Sequence, residues 1–202
     1  MESFAFWALL GFFMGSIPFS VWLGRLLLCA DIRTYGDGNP GAANAWRAGK
    51  WRVGVPAVLL DYLKGAVPVS LAHYVFRVAD WGLVAVALAP VLGHAFSPFL
   101  RFRGGKALTV TFGIWTGMTF AEGPIVLGLL FGFFLVVQRE DAWAVLLGML
   151  TFLFYWWLRQ ADTRILVTCV GNTLVLAYKH RHELRQAPHP GTRILNLLRR
   201  GR

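Results

Sequence analysis

An all-α membrane protein with about seven transmembrane helices is the fold class that this sequence predicts, and three observations predict it. Of its 202 residues, 56% are hydrophobic and only 15% are charged, against roughly 25% charged residues in soluble domains. The mean hydropathy is +0.54. Apolar runs alternate with short polar or glycine-rich stretches, and the basic residues are concentrated in every second one of these stretches.

The apolar runs define seven candidate spans. The first begins after MESF, with no Lys or Arg before Arg25, so we expect an uncleaved first helix and no signal peptide. Several spans fall short of the ~20 residues that usually cross the hydrocarbon, and five or six crossings are alternatives to seven. The spans cover about residues 4–30, 53–76, 81–99, 107–121, 123–137, 142–158 and 165–178.

The placement of basic residues predicts the orientation. With seven alternating spans, three loops and the C-terminal segment on one side carry fifteen Lys and Arg residues, and the opposite side carries three. Cytoplasmic loops are enriched in Lys and Arg, so we expect the N-terminus outside and the C-terminus in the cytoplasm. Residues 1–185 are expected to form a single membrane domain. Residues 186–202 form a basic tail, for which an amphipathic helix on anionic lipid is one expectation and disorder is the other.

The first basic segment, DIRTYGDGNPGAANAWR at residues 31–47, has the composition of an anion-binding loop. Its glycines permit positive φ and close approach to the backbone, and successive exposed N–H groups in such turns form concave anion sites. Asn39, Asn44 and Arg47 add donors, and Arg suits bidentate contact with phosphate. A tight connector between helices is the alternative.

The second basic segment, GHAFSPFLRFRGGKA at residues 93–107, combines bases, phenylalanines and a Gly-Gly pair. Arg101, Arg103 and Lys106 could face water while the aromatic rings lie at the membrane interface, which would make the segment a membrane anchor. That interpretation explains the bases but not the GGK sequence or His94, and His94 by itself is as readily a hydrogen-bonded structural histidine.

The third segment, YKHRHELRQ at residues 178–186, offers side chains for proton transfer and anion contacts: His180, Arg181, His182 and Glu183. Solvated charge that sets the topology is the alternative interpretation.

Four residues inside the spans carry expectations of their own. Asp61 and Lys64 are three residues apart, on one helical face, which predicts an ion pair. Cys29 and Cys169 both lie in apolar runs and are expected to be buried. No His/Cys cluster has zinc-ligand spacing, so no metal is predicted.

These motifs occur together in a known family. GSIPF, DIR…GDGNPGAANAWR, DYLKG, GHAFSPFLRFRGGK and YKHRHEL span about residues 10–185. On these motifs the chain resembles the bacterial acyl-phosphate:glycerol-3-phosphate acyltransferases of the PlsY type. The resemblance implies a seven-helix enzyme of the bacterial inner membrane. It would transfer a fatty acyl group from acyl-phosphate to the 1-hydroxyl of glycerol-3-phosphate in phospholipid synthesis, without a cofactor.

The resemblance also implies a site that faces the cytoplasm. Arg47 and Lys106 match the residues that would hold phosphate groups, and His180 matches the histidine of the third motif; these three are the expected catalytic residues. Acyl-phosphate, glycerol-3-phosphate and membrane lipids are the expected partners, and nucleic acid is not. The expected substrate-binding residues are Asp37, Asn39, Gly41, Asn44, His94, Gly104, Gly105 and Glu183.

Several positions depart from the family pattern. Asp37 stands where the family usually has Ser, Ala43 where it has a small hydroxyl residue, Ala107 where GGKG ends in Gly, and Glu183 where it has Asn. Asp37 and Glu183 would bring carboxylates to an anion site. Either they point away and pair with bases such as Arg181, or the acceptor is a different hydroxyl or amine.

Two other classes of function stay open at this stage. A serine expected between the fifth and sixth spans is also missing, which would fit a relative that has lost the reaction and binds lipid or forms complexes. The spans and the intramembrane charges would fit a small transporter. The motifs cluster on one face and no inverted repeat is visible, which favours the acyltransferase.

Overall fold

The computed structural model describes residues 4–191, which contain eight α-helices and no β-strand. The prediction of an all-α fold is therefore confirmed. Two compact units divide the helices: the first ends at Phe120 and holds five of them, and the second begins at Ala121 and holds three. The helices are α1 (Phe4–Ser16), α2 (Phe19–Leu28), α3 (Ala42–Ser70), α4 (Asp80–Ala95), α5 (Leu108–Thr119), α6 (Glu122–Val137), α7 (Asp141–Leu158) and α8 (Thr163–Lys179).

Each predicted span coincides with a helix or a pair of helices. Within the described part, four helical stretches are long and apolar enough to cross a membrane: Phe4–Leu28, Ala42–Val75, Asp80–Leu100 and Asp141–Leu158. Helix α6 is apolar but has only 16 residues. The structure thus agrees with a helical membrane protein of several spans, and the count of seven stays a prediction.

The first apolar run forms two helices within the predicted span of residues 4–30, and the combined stretch Phe4–Leu28 is long and apolar enough to cross a membrane. Pro18 has no N–H to donate to a helical carbonyl, and the helix is interrupted at Ile17 and Pro18. The carbonyl oxygen of Ile17 accepts a hydrogen bond of 3.0 Å from Nζ of Lys64 in α3. A side chain from another helix therefore stabilises the interruption.

The same lysine belongs to a buried ion pair. Its Nζ atom lies 2.7 Å from Oδ1 of Asp61, and both side chains are 2% exposed. Oδ2 of Asp61 accepts a hydrogen bond of 2.8 Å from Oγ of Ser20 in α2. The pair predicted from the spacing of Asp61 and Lys64 is confirmed, and it satisfies the rule that buried charges are paired and hydrogen-bonded.

Glycines let the helices of the first unit approach closely. A Cβ atom at Gly15 in α1 would overlap the backbone of Pro90 in α4, and one at Gly93 in α4 would overlap the carbonyl of Phe12 in α1. Gly113 in α5 lies in the same way against the backbone of α3. Small residues at such interfaces are how helices pack in membranes, where water does not drive their association.

Helix α3 begins well before residue 53, where the second span was predicted to start. Gly41 is its N-cap, and the helix is kinked at Lys50, which has φ 52° and ψ −143°. The second half of the first motif is therefore helical. Because Asn44 and Arg47 are three residues apart, they share one face of this first part of α3.

The second unit is built on α7, which packs against α6 and α8. A Cβ atom at Gly148 of α7 would overlap the ring of Phe131 in α6. Where α6 begins and α7 ends, Oη of Tyr155 donates a hydrogen bond of 2.6 Å to Oε1 of Glu122, and Nη2 of Arg159 lies 3.4 Å from the same oxygen. Polar contacts thus join the two helices at that end.

The two cysteines differ in burial. Cys169 is buried as predicted, but Cys29 is exposed. The prediction for Cys29 is wrong because α2 ends there, with Cys29 as a left-handed C-cap at φ 52°. The predicted tail helix falls mostly on residues 192–202, outside the described residues.

Candidate active site

The backbone of residues 36–41 brings side chains of α3 onto the glycine-rich loop. Gly36 and Gly38 have φ values of 57° and 75°, a conformation that glycine adopts without steric cost. A Cβ atom at Gly36 would overlap both the guanidinium group of Arg47 and the side-chain oxygen of Asn44. The group that needs a bare backbone at Gly36 is therefore the protein's own arginine.

Asn44 is the centre of a hydrogen-bond network in this loop. Its side chain is buried, and its Nδ2 atom donates to Oδ1 of Asp37 and to the carbonyl oxygen of Asn39, both at 2.9 Å. Its Oδ1 atom accepts from Nη1 of Arg47 at 2.8 Å. The N–H group of Asn39 also donates to Oδ1 of Asp37, at 3.2 Å. The network holds the loop and the first turns of α3 in one arrangement.

Lys106 joins this network from a distant part of the sequence. Its Nζ atom lies 2.7 Å from Oδ2 of Asp37, and Nη1 of Arg47 lies 3.9 Å from Oδ1 of the same residue. One carboxylate therefore lies within reach of both bases. The side chains of Lys106, Asp37 and Arg47 are 24%, 39% and 53% exposed, so a dissolved anion can reach them.

These contacts also set the ionisation of Asp37. Partial burial acts to raise the pKa of its carboxyl, but the hydrogen bond from Lys106, assisted by those from Asn39 and Asn44, outweighs it and lowers the pKa to about 2. Asp37 is therefore an anion at neutral pH. The first of the two expectations for Asp37 is half correct: the carboxylate is paired with bases, but these are the predicted phosphate-binding residues themselves.

The Gly-Gly pair before Lys106 packs directly on His94. The N–H group of Gly105 donates to the carbonyl oxygen of His94 at 3.0 Å. A Cβ atom at Gly104 would overlap that carbonyl oxygen, and one at Gly105 would overlap Nε2 of the His94 ring. His94 is 7% exposed. The glycine pair is thus required for close contact with His94, which fixes the course of the chain into Lys106.

Ala107 follows Lys106 in a conformation that suits glycine. It is the N-cap of α5 and has a left-handed φ of 61°. This is the position at which the family resemblance places the last glycine of GGKG. The alanine therefore carries backbone strain that a glycine would not.

His180 and Glu183 lie in the second unit, close to each other. His180 is the C-cap of α8 and is 4% exposed. Oε2 of Glu183 lies 3.8 Å from Nδ1 of His180. Arg181, suggested above as a partner for Glu183, donates a hydrogen bond of 2.8 Å to the carbonyl oxygen of Tyr178. The Glu183 carboxylate thus lies beside the third-motif histidine.

The structure brings most of the predicted site residues of the first unit together. Arg47 and Lys106 share Asp37, and Gly41 caps the helix that carries Arg47. The predicted residues in this cluster are Asp37, Asn39, Gly41, Asn44, Arg47 and Lys106, with His94, Gly104 and Gly105 in the loop that presents Lys106.

An apolar cavity of about 560 Å³ between α3 and α5 was not identified from the sequence. On α3 its lining begins at Trp46, next to Arg47, and on α5 it begins at Leu108, just after the Lys106 loop. In the sequence, the lining therefore starts one residue from Arg47 and two residues from Lys106. The helical spacing of the apolar residues of α3 is the signal that could have indicated it. The lining residues are Trp46, Val55, Val58, Leu59, Tyr62, Leu108, Thr109 and Phe112.

Together these features define a class: an all-helical membrane protein in which two glycine-rich segments bring Arg47 and Lys106 to one carboxylate, with an apolar cavity between the helices that follow. A family model for glycerol-3-phosphate acyltransferase matches residues 5–188. The chain belongs to the glycerol-3-phosphate acyltransferase family, which confirms the resemblance stated from the motifs and the predicted enzyme class.

Relatives and solved structures agree with this assignment. The chain is 38% identical over 189 residues to glycerol-3-phosphate acyltransferase 1 of Thermotoga maritima, covering 87% of this chain and 93% of that protein. It is 34% identical over 185 residues to a glycerol-3-phosphate acyltransferase of Maridesulfovibrio salexigens, covering 90% and 91%.

Two crystal structures of PlsY (YgiH), an integral membrane glycerol 3-phosphate acyltransferase, have a similar fold at 26% identity. The glycerol 3-phosphate form has a TM-score of 0.83 and covers 97% of this chain and 99% of that chain. The lysophosphatidic acid form has a TM-score of 0.80 and covers 91% of each.

Proposed function

We propose that this chain transfers a fatty acyl group from an acyl-phosphate to the 1-hydroxyl of glycerol-3-phosphate. The observation that carries the proposal is the placement of Arg47 and Lys106 around one carboxylate, at distances of 3.9 and 2.7 Å. A carboxylate shows where an anion is held, and a phosphate oxygen has the same charge and hydrogen-bonding preference. Membership of the glycerol-3-phosphate acyltransferase family indicates the reaction in which the bound phosphate takes part.

The chemistry is a direct transfer. The substrate hydroxyl oxygen attacks the acyl carbonyl carbon, the bond between that carbon and the phosphate oxygen breaks, and inorganic phosphate leaves. Arg47, Lys106 and the N–H groups of the first loop neutralise phosphate and stabilise the negative charge that develops on the carbonyl oxygen. Held in this way, the two reactants need no covalent intermediate on the enzyme.

The hydroxyl proton passes to His180 or to the phosphate of the substrate itself. A histidine suits this role because its ordinary pKa is near neutrality. The support for His180 is its match to the third-motif histidine of the family, and the Glu183 carboxylate lies 3.8 Å from its Nδ1 atom.

The cavity between α3 and α5 is the proposed site for the acyl chain. Its lining is almost entirely apolar, and it begins next to Arg47 and to the Lys106 loop. A chain lying there has its reactive end at the bases and its tail between helices, level with the chains of surrounding lipid.

We further propose that seven helices cross the bacterial inner membrane with the N-terminus outside and the site facing the cytoplasm. The fifteen-to-three distribution of Lys and Arg residues supports this orientation. In a Cys29→Ser/Cys169→Ser background, a cysteine introduced by Arg103→Cys is expected to react with a membrane-impermeant maleimide only after cells are permeabilised. One introduced by Arg159→Cys is expected to react in intact cells. Labelling of Arg159→Cys only after permeabilisation, and of Arg103→Cys in intact cells, would show the opposite orientation.

The reaction is tested with the purified chain, palmitoyl-phosphate and glycerol-3-phosphate, with products identified by mass spectrometry. Lysophosphatidic acid and inorganic phosphate are expected in equal amounts. A panel of other hydroxyl and amine acceptors is tested in parallel, because Asp37 and Glu183 depart from the family pattern. Product from a non-phosphate acceptor alone would overturn the proposed substrate. No product from any acceptor, with the helical fold intact, would overturn the enzyme and favour a lipid-binding relative.

A further inference from the structure

Asp37 makes contacts that a bound phosphate would make. Its carboxylate accepts from Lys106 at 2.7 Å, from the Asn44 amide at 2.9 Å and from the N–H group of Asn39 at 3.2 Å, and it lies 3.9 Å from Arg47. We propose that Asp37 is a displaceable internal anion, which occupies the phosphate site when no substrate is bound and determines which anions can enter. The identity of the phosphate that enters rests on the proposed function; occupation of the site by Asp37 does not.

The charges near the carboxylate support displacement over coexistence. Lys106 and Arg47 are the bases within reach of Asp37, so one negative charge faces two positive ones. A phosphate beside an ionised Asp37 would be repelled by it and would share its donors. If the carboxylate turns towards solvent, which its 39% exposure permits, both bases become available to the doubly charged ligand.

A tethered anion of this kind selects by charge. Asp37 is present at a high effective concentration because the chain holds it at the site. A dissolved monoanion such as acetate has the same charge and no tether, so it competes poorly. A phosphate dianion has two charges and more acceptor oxygens, so it can replace the carboxylate. When no substrate is bound, the Asp37 carboxylate thereby excludes small monoanions from the site.

Asp37 is not released from the site by protonation in the ordinary pH range. The contacts with Lys106 and Asn39 keep the pKa of Asp37 at about 2, so the carboxylate is charged at every pH used for an assay. The second proton of a phosphate group dissociates near pH 6. Phosphate binding is therefore expected to weaken below about pH 6, where the monoanion dominates, and to weaken less in a variant with a neutral residue at position 37.

The test is direct binding of inorganic phosphate to the purified full chain, measured by titration calorimetry without acyl donor. Asp37→Asn keeps an oxygen for Asn44 and the Asn39 N–H group but cannot pair with Lys106. It is expected to lower the dissociation constant for phosphate about tenfold and to admit acetate. Asp37→Ser, which restores the usual family residue, is expected to do the same and serves if the asparagine variant does not fold.

Asp31 provides the matched control. It lies in the same segment and pairs with Arg25 and Arg33 at 3.0 and 2.6 Å, but it contacts none of the phosphate-binding residues in the structure. Asp31→Asn is expected to leave the phosphate dissociation constant within about twofold of the original. A comparable gain in this variant would show a general effect of net charge and would overturn the inference.

The outcomes separate this inference from the proposed reaction. Unchanged or weaker phosphate binding in both Asp37 variants would overturn the inference and make Asp37 a residue that positions Lys106, whatever the transfer assay shows. Tighter binding supports it even in a chain with no transferase activity. In an active chain, a lower KM for glycerol-3-phosphate would assign the site to the acceptor, and a lower KM for acyl-phosphate would assign it to the donor. A fall in neither KM would count against displacement.

Discussion

The Nζ atom of Lys106 lies 2.7 Å from Oδ2 of Asp37, so the loop before α5 and the loop before α3 are joined by one ion pair. Arg47 lies on the other oxygen of the same carboxylate, at 3.9 Å. The two bases that the motifs single out are thus neighbours in space, although they are far apart in the sequence.

Removal of either base is expected to abolish most of the activity. In Arg47→Ala and Lys106→Ala, phosphate loses a charged donor and the developing oxyanion loses stabilisation, so kcat/KM should fall by about 10²–10³. Initial rates with palmitoyl-phosphate and glycerol-3-phosphate measure the effect. Arg52→Ala is the control, because Arg52 lies over the ring of Trp51 and is not part of the site. Full activity in either base variant would refute its role.

Alanine substitutions at Gly104 and Gly105 are expected to differ in how far replacement of His94 restores stability. Gly104→Ala meets a backbone carbonyl and Gly105→Ala meets the His94 ring, so each should lower stability by about 2 kcal/mol. Adding His94→Ala should recover part of the loss for Gly105→Ala and none for Gly104→Ala. Thermal unfolding of the four single and double variants, with His94→Ala alone as reference, gives the coupling energies. Equal coupling at both positions would contradict the packing described.

Ala107→Gly is expected to stabilise the protein. The left-handed φ of 61° at Ala107 is strained for alanine, and relief of the strain is worth about 1 kcal/mol. Differential scanning fluorimetry in detergent should show a higher Tm. Ala87→Gly, at a buried position inside α4, should lower the Tm because glycine weakens a helix interior. A lower Tm for Ala107→Gly would show that the loop is held by contacts of the alanine methyl group.

Filling the cavity between α3 and α5 is expected to discriminate between long and short donors. Val58→Trp places a large ring in the lining, whereas Val67→Trp makes the same change outside the lining of the same helix; both valines are exposed. Val58→Trp should lower kcat/KM for palmitoyl-phosphate about tenfold, and for butyryl-phosphate much less. Equal losses for both donors would place the acyl chain elsewhere.

Removing one charge of the buried Asp61–Lys64 pair is expected to lower the stability of the protein. Asp61→Asn leaves Lys64 charged and without its carboxylate, which should cost about 3–5 kcal/mol. The double variant Asp61→Asn/Lys64→Met should lose less, because no uncompensated charge remains. Thermal unfolding in one detergent compares the two. A double variant less stable than the single one would show that the hydrogen bond from Lys64 to Ile17 matters more than the pair.

Local patterns were enough to predict the helical segments and the Asp61–Lys64 pair. Apolar runs bounded by charge give each segment, and an i,i+3 spacing places two side chains on one face. The break at Pro18 was missed because the residues around it are as apolar as a continuous span. The start of α3 was missed because the glycines and asparagines of the motif suggested a loop, although alanines follow Gly41 and favour a helix.

Contacts between distant residues could not be obtained in this way. Asp37 was expected either to point away from the site or to signal a different acceptor, and no local pattern shows that Lys106 would reach it. The cavity lining was missed for the same reason, since Leu108 and Trp46 come together only through the packing of α5 on α3.

The presence of an aspartate at position 37 also bears on how the protein assembles. Lys106, in the loop before α5, and Arg47, in the first turns of α3, would repel one another as the helices come together in the membrane. Because the Asp37 carboxylate supplies a negative charge where the two bases meet, the loops can pack together before any phosphate is bound. The arrangement of the two bases can therefore form as the protein folds.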